Sequence, residues 1–162
     1  MARRKKREEE PLVELPSNPD RLAHALFAGF LAYSLGMDYW GIATAVAFAL
    51  IPDLDLWLGH RVVLHNIFAA IAIPILFSWL VPQIPLRAAL LGYSSHLFLD
   101  MLSPTGIALF FPLPDIGWKM VSIPVVNLFV RSGVRTLLLV VAFVLALSLL
   151  HLGPSIFTVL KP

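Results

Sequence analysis

His96 and Asp100 stand four residues apart in an apolar run that begins at Ala88. On a helix that spacing stacks both side chains on one face. An ionisable pair inside an apolar helix costs about several kcal/mol unless partners surround it, which makes such a pair a candidate functional site. The surrounding stretch, Gly92-Tyr93-Ser94-Ser95-His96-Leu97-Phe98-Leu99-Asp100-Met101-Leu102-Ser103-Pro104-Thr105-Gly106, ends on helix-breaking residues just past the pair. Read alone, the pair has a bland explanation too: a neutral histidine hydrogen-bonded to a carboxylate that ties two helices together.

The rest of the chain adds the same residue types. Asp53 and Asp55 are two apart, directly after Pro52. An extended backbone there would turn both carboxylates to one side and Leu54 and Leu56 to the other. His60 and His65 are five apart, so they converge only if the chain turns between them. His24 opens the first apolar stretch. Imidazole and carboxylate together suit zinc, manganese or iron better than calcium. His24, Asp53, Asp55, His60, His65, His96 and Asp100 exceed the three or four protein ligands of one catalytic zinc. Two metal ions, or one ion with outer partners, account for the surplus.

The elements that must position these residues belong to a membrane composition. The 162 residues are 59% hydrophobic and only 14% charged, and mean hydropathy is +0.84; soluble domains are nearer half apolar and a quarter charged. The absence of cysteine excludes disulfides and thiolate ligands. The sequence pI of about 9.2 owes much to Arg3-Arg4-Lys5-Lys6-Arg7. Beside hydrophobic segments, such a cluster orients the protein or touches anionic lipid rather than nucleic acid. Residues 1–20 read as a polar tail with no signal peptide, and 21–162 as one integral membrane domain.

The expected fold is an all-α polytopic bundle of about five membrane segments. Asp20 caps a first helix from about Arg21, with an apolar stretch from Leu22 to Leu35. A second runs from Tyr39 to Ile51 after a turn at Gly36-Met37-Asp38. A third runs from Val62 to Val81, a fourth from Leu86 to Leu102, and a fifth from Val134 to Leu152. The intervening Thr105 to Gly133 segment is expected to be partly re-entrant or interfacial. With the N-terminus in the cytoplasm, Arg3, Arg4, Lys5, Lys6, Arg7, Arg21, Arg61, Lys119, Arg131 and Arg135 lie inside. Only Arg87 and Lys161 lie outside, a strong positive-inside bias. The same topology gathers all seven candidate ligands and Arg61 in the cytoplasmic leaflet, His96 one turn deeper than Asp100, and leaves His151 apart at the other side.

Pro52-Asp53-Leu54-Asp55, His60-Arg61 followed by His65, and Gly92-Tyr93 leading to His96, Asp100, Pro104 and Gly106 resemble the LexA-regulated, inner-membrane metal-dependent hydrolase family. His24 fits the same pattern. The resemblance covers residues 22 to 113, ending in Phe111-Pro112-Leu113. It implies a membrane-bound, metal-dependent hydrolase. Val62, Leu64 and Asn66 depart from the Gly, Thr and Ser usual in that family, which removes two hydroxyls from around His65.

Three kinds of function follow. In the enzyme reading, a metal at the cytoplasmic leaflet polarises a phosphoryl or acyl oxygen and activates water. Asp55 and Asp100 serve the chemistry, and Arg61 pairs with an anionic oxygen, for which its planar fork is suited. The headgroup boundary points to a lipid or lipid-linked phosphoester. The alternatives are a small protein that translocates cations or protons through its His and Asp residues, and a metal-stabilised scaffold without turnover.

Overall fold

The computed structural model describes residues 18–57, 61–103, 105–123, 140–141 and 143–144. Its helices are α1 (Asn18–Ser34), α2 (Tyr39–Phe48), α3 (Ile67–Leu80) and α4 (Leu86–Met101). A short 3-10 helix, Pro52–Trp57, links α2 to the loop before α3. The expected all-α class therefore holds among the described residues. The expected fifth helix lies outside them except for Val140, Val141, Phe143 and Val144, which are helical.

Each boundary has a local cause. α1 closes at Gly36, whose positive φ of 71° lets the Gly36 N–H reach the Tyr33 carbonyl and the Met37 N–H reach the Ala32 carbonyl. This pair of bonds satisfies carbonyls that a helix C-terminus otherwise leaves bare. Asp38 then caps α2, its Oδ1 accepting the Gly41 N–H at 2.8 Å. α2 stops short of Pro52. Asn66 caps α3 by accepting the Ala69 N–H at 2.9 Å, while its amide donates to the carbonyls of Val62 and Val63. α3 consequently starts at Ile67 and not at Val62: the residues between form a loop.

α4 packs against α1, α2 and α3. Its approach to α2 is close enough that a Cβ on Gly92 would lie 2.0 Å from the Ala45 carbonyl oxygen. Ala32, Ala45 and Ala88 form a buried cluster at this crossing. Phe48, Ala70, Ala89, Tyr93, Leu97 and Ile107 form another, extended toward the chain beyond α4. That later chain turns repeatedly and returns on itself through an antiparallel bridge between Ile107 and Val121. Ile67 and Ala108 donate to Leu109 and Arg61 respectively, which fixes this segment to the loop before α3.

The described helices are short for membrane segments. α1 has 17 residues, α2 has 10, α3 has 14 and α4 has 16. At about 1.5 Å per residue, the longest spans about 26 Å, against a hydrocarbon core of about 30 Å. No helix among the described residues is long and apolar enough to cross a membrane. α3 nevertheless exposes Phe68, Ile71, Ile75, Leu76, Phe77, Trp79 and Leu80, a contiguous apolar surface of the kind that marks an interaction site.

Candidate metal centre

Four elements deliver the candidate ligands to one place. His24 comes from α1, Asp53 and Asp55 from the 3-10 helix, His65 from the loop before α3, and His96 and Asp100 from α4. All six are buried, and Asp55, His65 and His96 have no exposed surface. The i, i+4 pairing on α4 is as expected: His96 Nε2 lies 3.3 Å from Asp100 Oδ2. His60 lies outside the described residues.

Three acceptor atoms form the heart of the site. His65 Nε2 is 3.1 Å from Asp100 Oδ2, and 3.2 Å from His96 Nε2. With the 3.3 Å edge just given, they make a nearly equilateral triangle. Asp53 Oδ1 stands 3.8 Å from His96 Nε2. On the other carboxylate oxygen of Asp100, His24 Nε2 lies 3.6 Å away and Arg61 Nη2 3.5 Å away. The His24 and His96 rings stack with centroids 3.8 Å apart.

The far side of each central imidazole is engaged. His96 Nδ1 lies 2.6 Å from the Ala49 carbonyl, an acceptor only, so Nδ1 carries the proton. His65 Nδ1 lies 3.1 Å from Asp55 Oδ2, which also accepts the Leu64 N–H at 3.1 Å. Such bonds leave Nε2 of a neutral ring as the free donor toward a metal. Two Nε2 lone pairs and a carboxylate oxygen facing one another need a cation or a proton between them. A tetrahedral ion with ligands at about 2.0–2.1 Å spaces them about 3.3–3.4 Å apart. The observed edges fit that spacing, and the N and O donor set fits zinc or manganese.

His65 shows the same demand electrostatically. Burial works against its charged form, but the hydrogen bonds and charges of Asp100 and Asp55 outweigh burial and raise its pKa to about 9. A proton thus fills the role that a metal would take over.

Two groups of side chains have ligand atoms close enough to share an ion: His24, His96 and Asp100, and Asp53, His65 and His96. Asp55 is in neither. Its separation from Asp53 follows from the 3-10 helix, which replaces the extended backbone expected there. With about three residues per turn, side chains two apart diverge. Asp53 turns toward His96, and Asp55 toward the back of His65, while Leu54 stays exposed as expected.

Arg61 has a backbone φ of 67°, and its Nη1 donates to Ser103 Oγ, Thr105 Oγ1 and the Gly106 carbonyl. It ties Asp100 to the turn that ends α4. The hydroxyls missing at Leu64 and Asn66 are not needed around His65, where Asp55, Asp100 and a backbone amide supply the polarity; Asn66 takes up the capping of α3. Sequence reasoning left out Arg21, whose Nε lies 3.7 Å from Asp53 Oδ2. Its i, i+3 spacing from His24 was the available signal.

The chain is similar to inner membrane protein YdjM of Escherichia coli K12, with 31% identity over 100 residues, covering 46% of this chain and 51% of that protein. The same figures hold for inner membrane protein YdjM of Shigella flexneri. The chain spans about half the length of these curated relatives. No solved structure matches. The sequence profile of the YdjM inner membrane protein family matches residues 20–157, and the chain belongs to that family.

Proposed function

We propose that this protein is a membrane-bound, metal-dependent hydrolase, with its site at the cytoplasmic leaflet and a lipid or lipid-linked phosphoester as substrate. The observation that carries the reading is the buried triangle of His65 Nε2, His96 Nε2 and Asp100 Oδ2, with both imidazoles braced from behind. His65, His96, Asp100 and Asp53 would hold the ion. Arg61 already sits on the second oxygen of Asp100, which favours one ion per chain over two. When bound, a divalent zinc or manganese supplies Lewis acidity toward a phosphoryl oxygen and toward water.

The protein's own groups do the rest. Asp55 holds His65 in the tautomer that presents Nε2, and the Ala49 carbonyl does so for His96. Arg61 Nη2 lies at the limit of hydrogen bonding to Asp100, so it can turn to an anionic substrate oxygen while Nη1 stays anchored. The multi-pass, N-in topology belongs to this proposal and rests on the charge asymmetry; the family's name supports the inner-membrane location alone. The short helices then lie in a thinned bilayer or shield one another.

The test is hydrolysis of phosphatidic acid and of a soluble aryl phosphate by detergent-purified protein. Activity should vanish with a chelator and return with zinc or manganese. A metal-stabilised scaffold is the second reading, favoured by the complete burial of Asp55, His65 and His96. Retained metal with no turnover of any phosphoester would select it.

A further inference from the structure

We infer that the groove between α1, α2 and the helical residues near Val141 holds an acyl chain of the lipid substrate; the inference rests on the hydrolase reading above. The groove has a volume of about 420 Å³, within the range of about 300–1,000 Å³ usual for ligand pockets. Among the described residues, eight line it, and none of them carries a charge. Only Tyr33 among these eight has a side chain that can hydrogen-bond. A polar ligand would lose its water there without gaining partners, so the occupant is a hydrocarbon.

Its position relative to the candidate metal centre selects the hydrocarbon. Ala25, Gly29 and Tyr33 are spaced four apart, so they form one row along α1. Arg21 stands four residues earlier in the same row, and its Nε lies 3.7 Å from Asp53 Oδ2. His24, which faces Asp100, directly precedes Ala25. The groove therefore starts one turn from the rim of the centre and follows α1 away from it. At about 1.5 Å per residue, Ala25 to Tyr33 covers about 12 Å. On α2, Val46 lines the groove about one turn before Ala49, whose carbonyl holds His96. Two of the groove's walls thus continue elements that build the centre. A lipid with its phosphate at the centre has its chain led off along this groove.

Room for the chain comes from Gly29. A Cβ there would lie 3.1 Å from Val46 Cγ2 and 4.0 Å from Ile42 Cγ2, so a longer side chain, blocked by Val46, fills the groove. The third wall includes Val144, which also packs against the buried cluster of Ala23, Phe27 and Leu99. Tyr33 is 69% exposed and Val141 36%, so the groove is open on its outer side. In a member of an inner membrane protein family, that opening suits sideways entry of a chain from the bilayer, with the substrate still in the membrane.

Calorimetric titration of zinc-loaded protein in detergent tests this with three probes: dioleoyl phosphatidic acid and dioleoyl phosphatidylcholine, each in mixed micelles, and inorganic phosphate. Wild type is compared with Gly29→Leu, which fills the groove, and with Val141→Phe, which narrows it from an exposed position that tolerates bulk. Metal content is measured on every sample. Both variants should keep wild-type metal and bind phosphatidic acid about tenfold more weakly, with inorganic phosphate unaffected. If Gly29→Leu does not fold, Val141→Phe carries the same test. Unchanged binding of phosphatidic acid by the folded variants, or equal weakening of phosphatidic acid and inorganic phosphate, overturns the groove as the chain's site and leaves the metal reading standing. Equal binding of phosphatidylcholine and phosphatidic acid by wild type, both weakened alike in the variants, assigns bulk lipid to the groove and overturns its link to the substrate. A wild type that takes up no zinc overturns the hydrolase reading and this inference with it.

Discussion

Along α4, the first two turns and the last two pack differently. From Leu86 to Tyr93 the helix uses small residues: Ala88, Ala89 and Gly92 are buried, and Gly92 lets its backbone meet the Ala45 carbonyl. From Ser95 to Asp100 the buried face becomes polar, with His96 and Asp100 turned to His24, Asp53 and His65. The first half sets the depth and rotation of α4 against α2 by sterics. The second half depends on that setting, because its polar triangle tolerates little displacement. Close packing is thus the positioning device, and the candidate site sits one turn beyond it.

The largest effect should come from breaking the packing half. Gly92→Ala places a methyl group against the Ala45 backbone and should cost about 3 kcal/mol or more, read as a lower unfolding temperature in detergent, with metal lost because α4 is displaced. Asp100→Asn attacks the polar half alone. It keeps size and hydrogen-bonding capacity, so the protein should stay folded in detergent while metal and hydrolysis are lost. A stability loss of about 1–3 kcal/mol with metal retained would instead assign Asp100 to holding its three histidines.

Asp55→Asn sharpens the difference between ligand and brace. It should weaken metal binding by about 10–100-fold without abolishing it, as measured by competition with a chromogenic chelator. A milder perturbation is pH. His65 has a folded pKa of about 9, above its ordinary 6.5. Its protonation therefore stabilises the metal-free protein fully below about 6.5, and that contribution is lost as pH rises to 9. Metal must displace this proton, so apparent affinity should rise by about tenfold per pH unit and level off near 9. The smallest effect is expected from Asn66→Ala, which removes the cap of α3 and should cost about 1 kcal/mol with metal content unchanged.

Much of the site was legible because its residue types are conspicuous in an apolar chain. His96 and Asp100 advertise a shared helix face, and the positions of His24, Asp53, Asp55 and His65 at element ends bring them to one end of the bundle. The helices were legible too: α4 was expected to end at Leu102 and ends at Met101, and the turn at Gly36 to Asp38 follows from its residues. The 3-10 helix was not, since Pro52 ends an α-helix and begins a tighter turn with the same local preference. Nor was the start of α3, because Val62 to Leu64 are as apolar as the helix that follows, and only the Asn66 bonds mark the boundary. Arg61 was read as a substrate group, but its anchoring to Ser103, Thr105 and Gly106 is a long-range contact that spacing does not reveal.

The central claim is that the buried His and Asp side chains form one metal centre. Elemental analysis of protein purified in detergent without chelator tests it most directly. About one zinc or manganese per chain is expected in the wild type and none in Asp100→Asn. A wild type that carries no metal, and regains none when zinc or manganese is added, would contradict it.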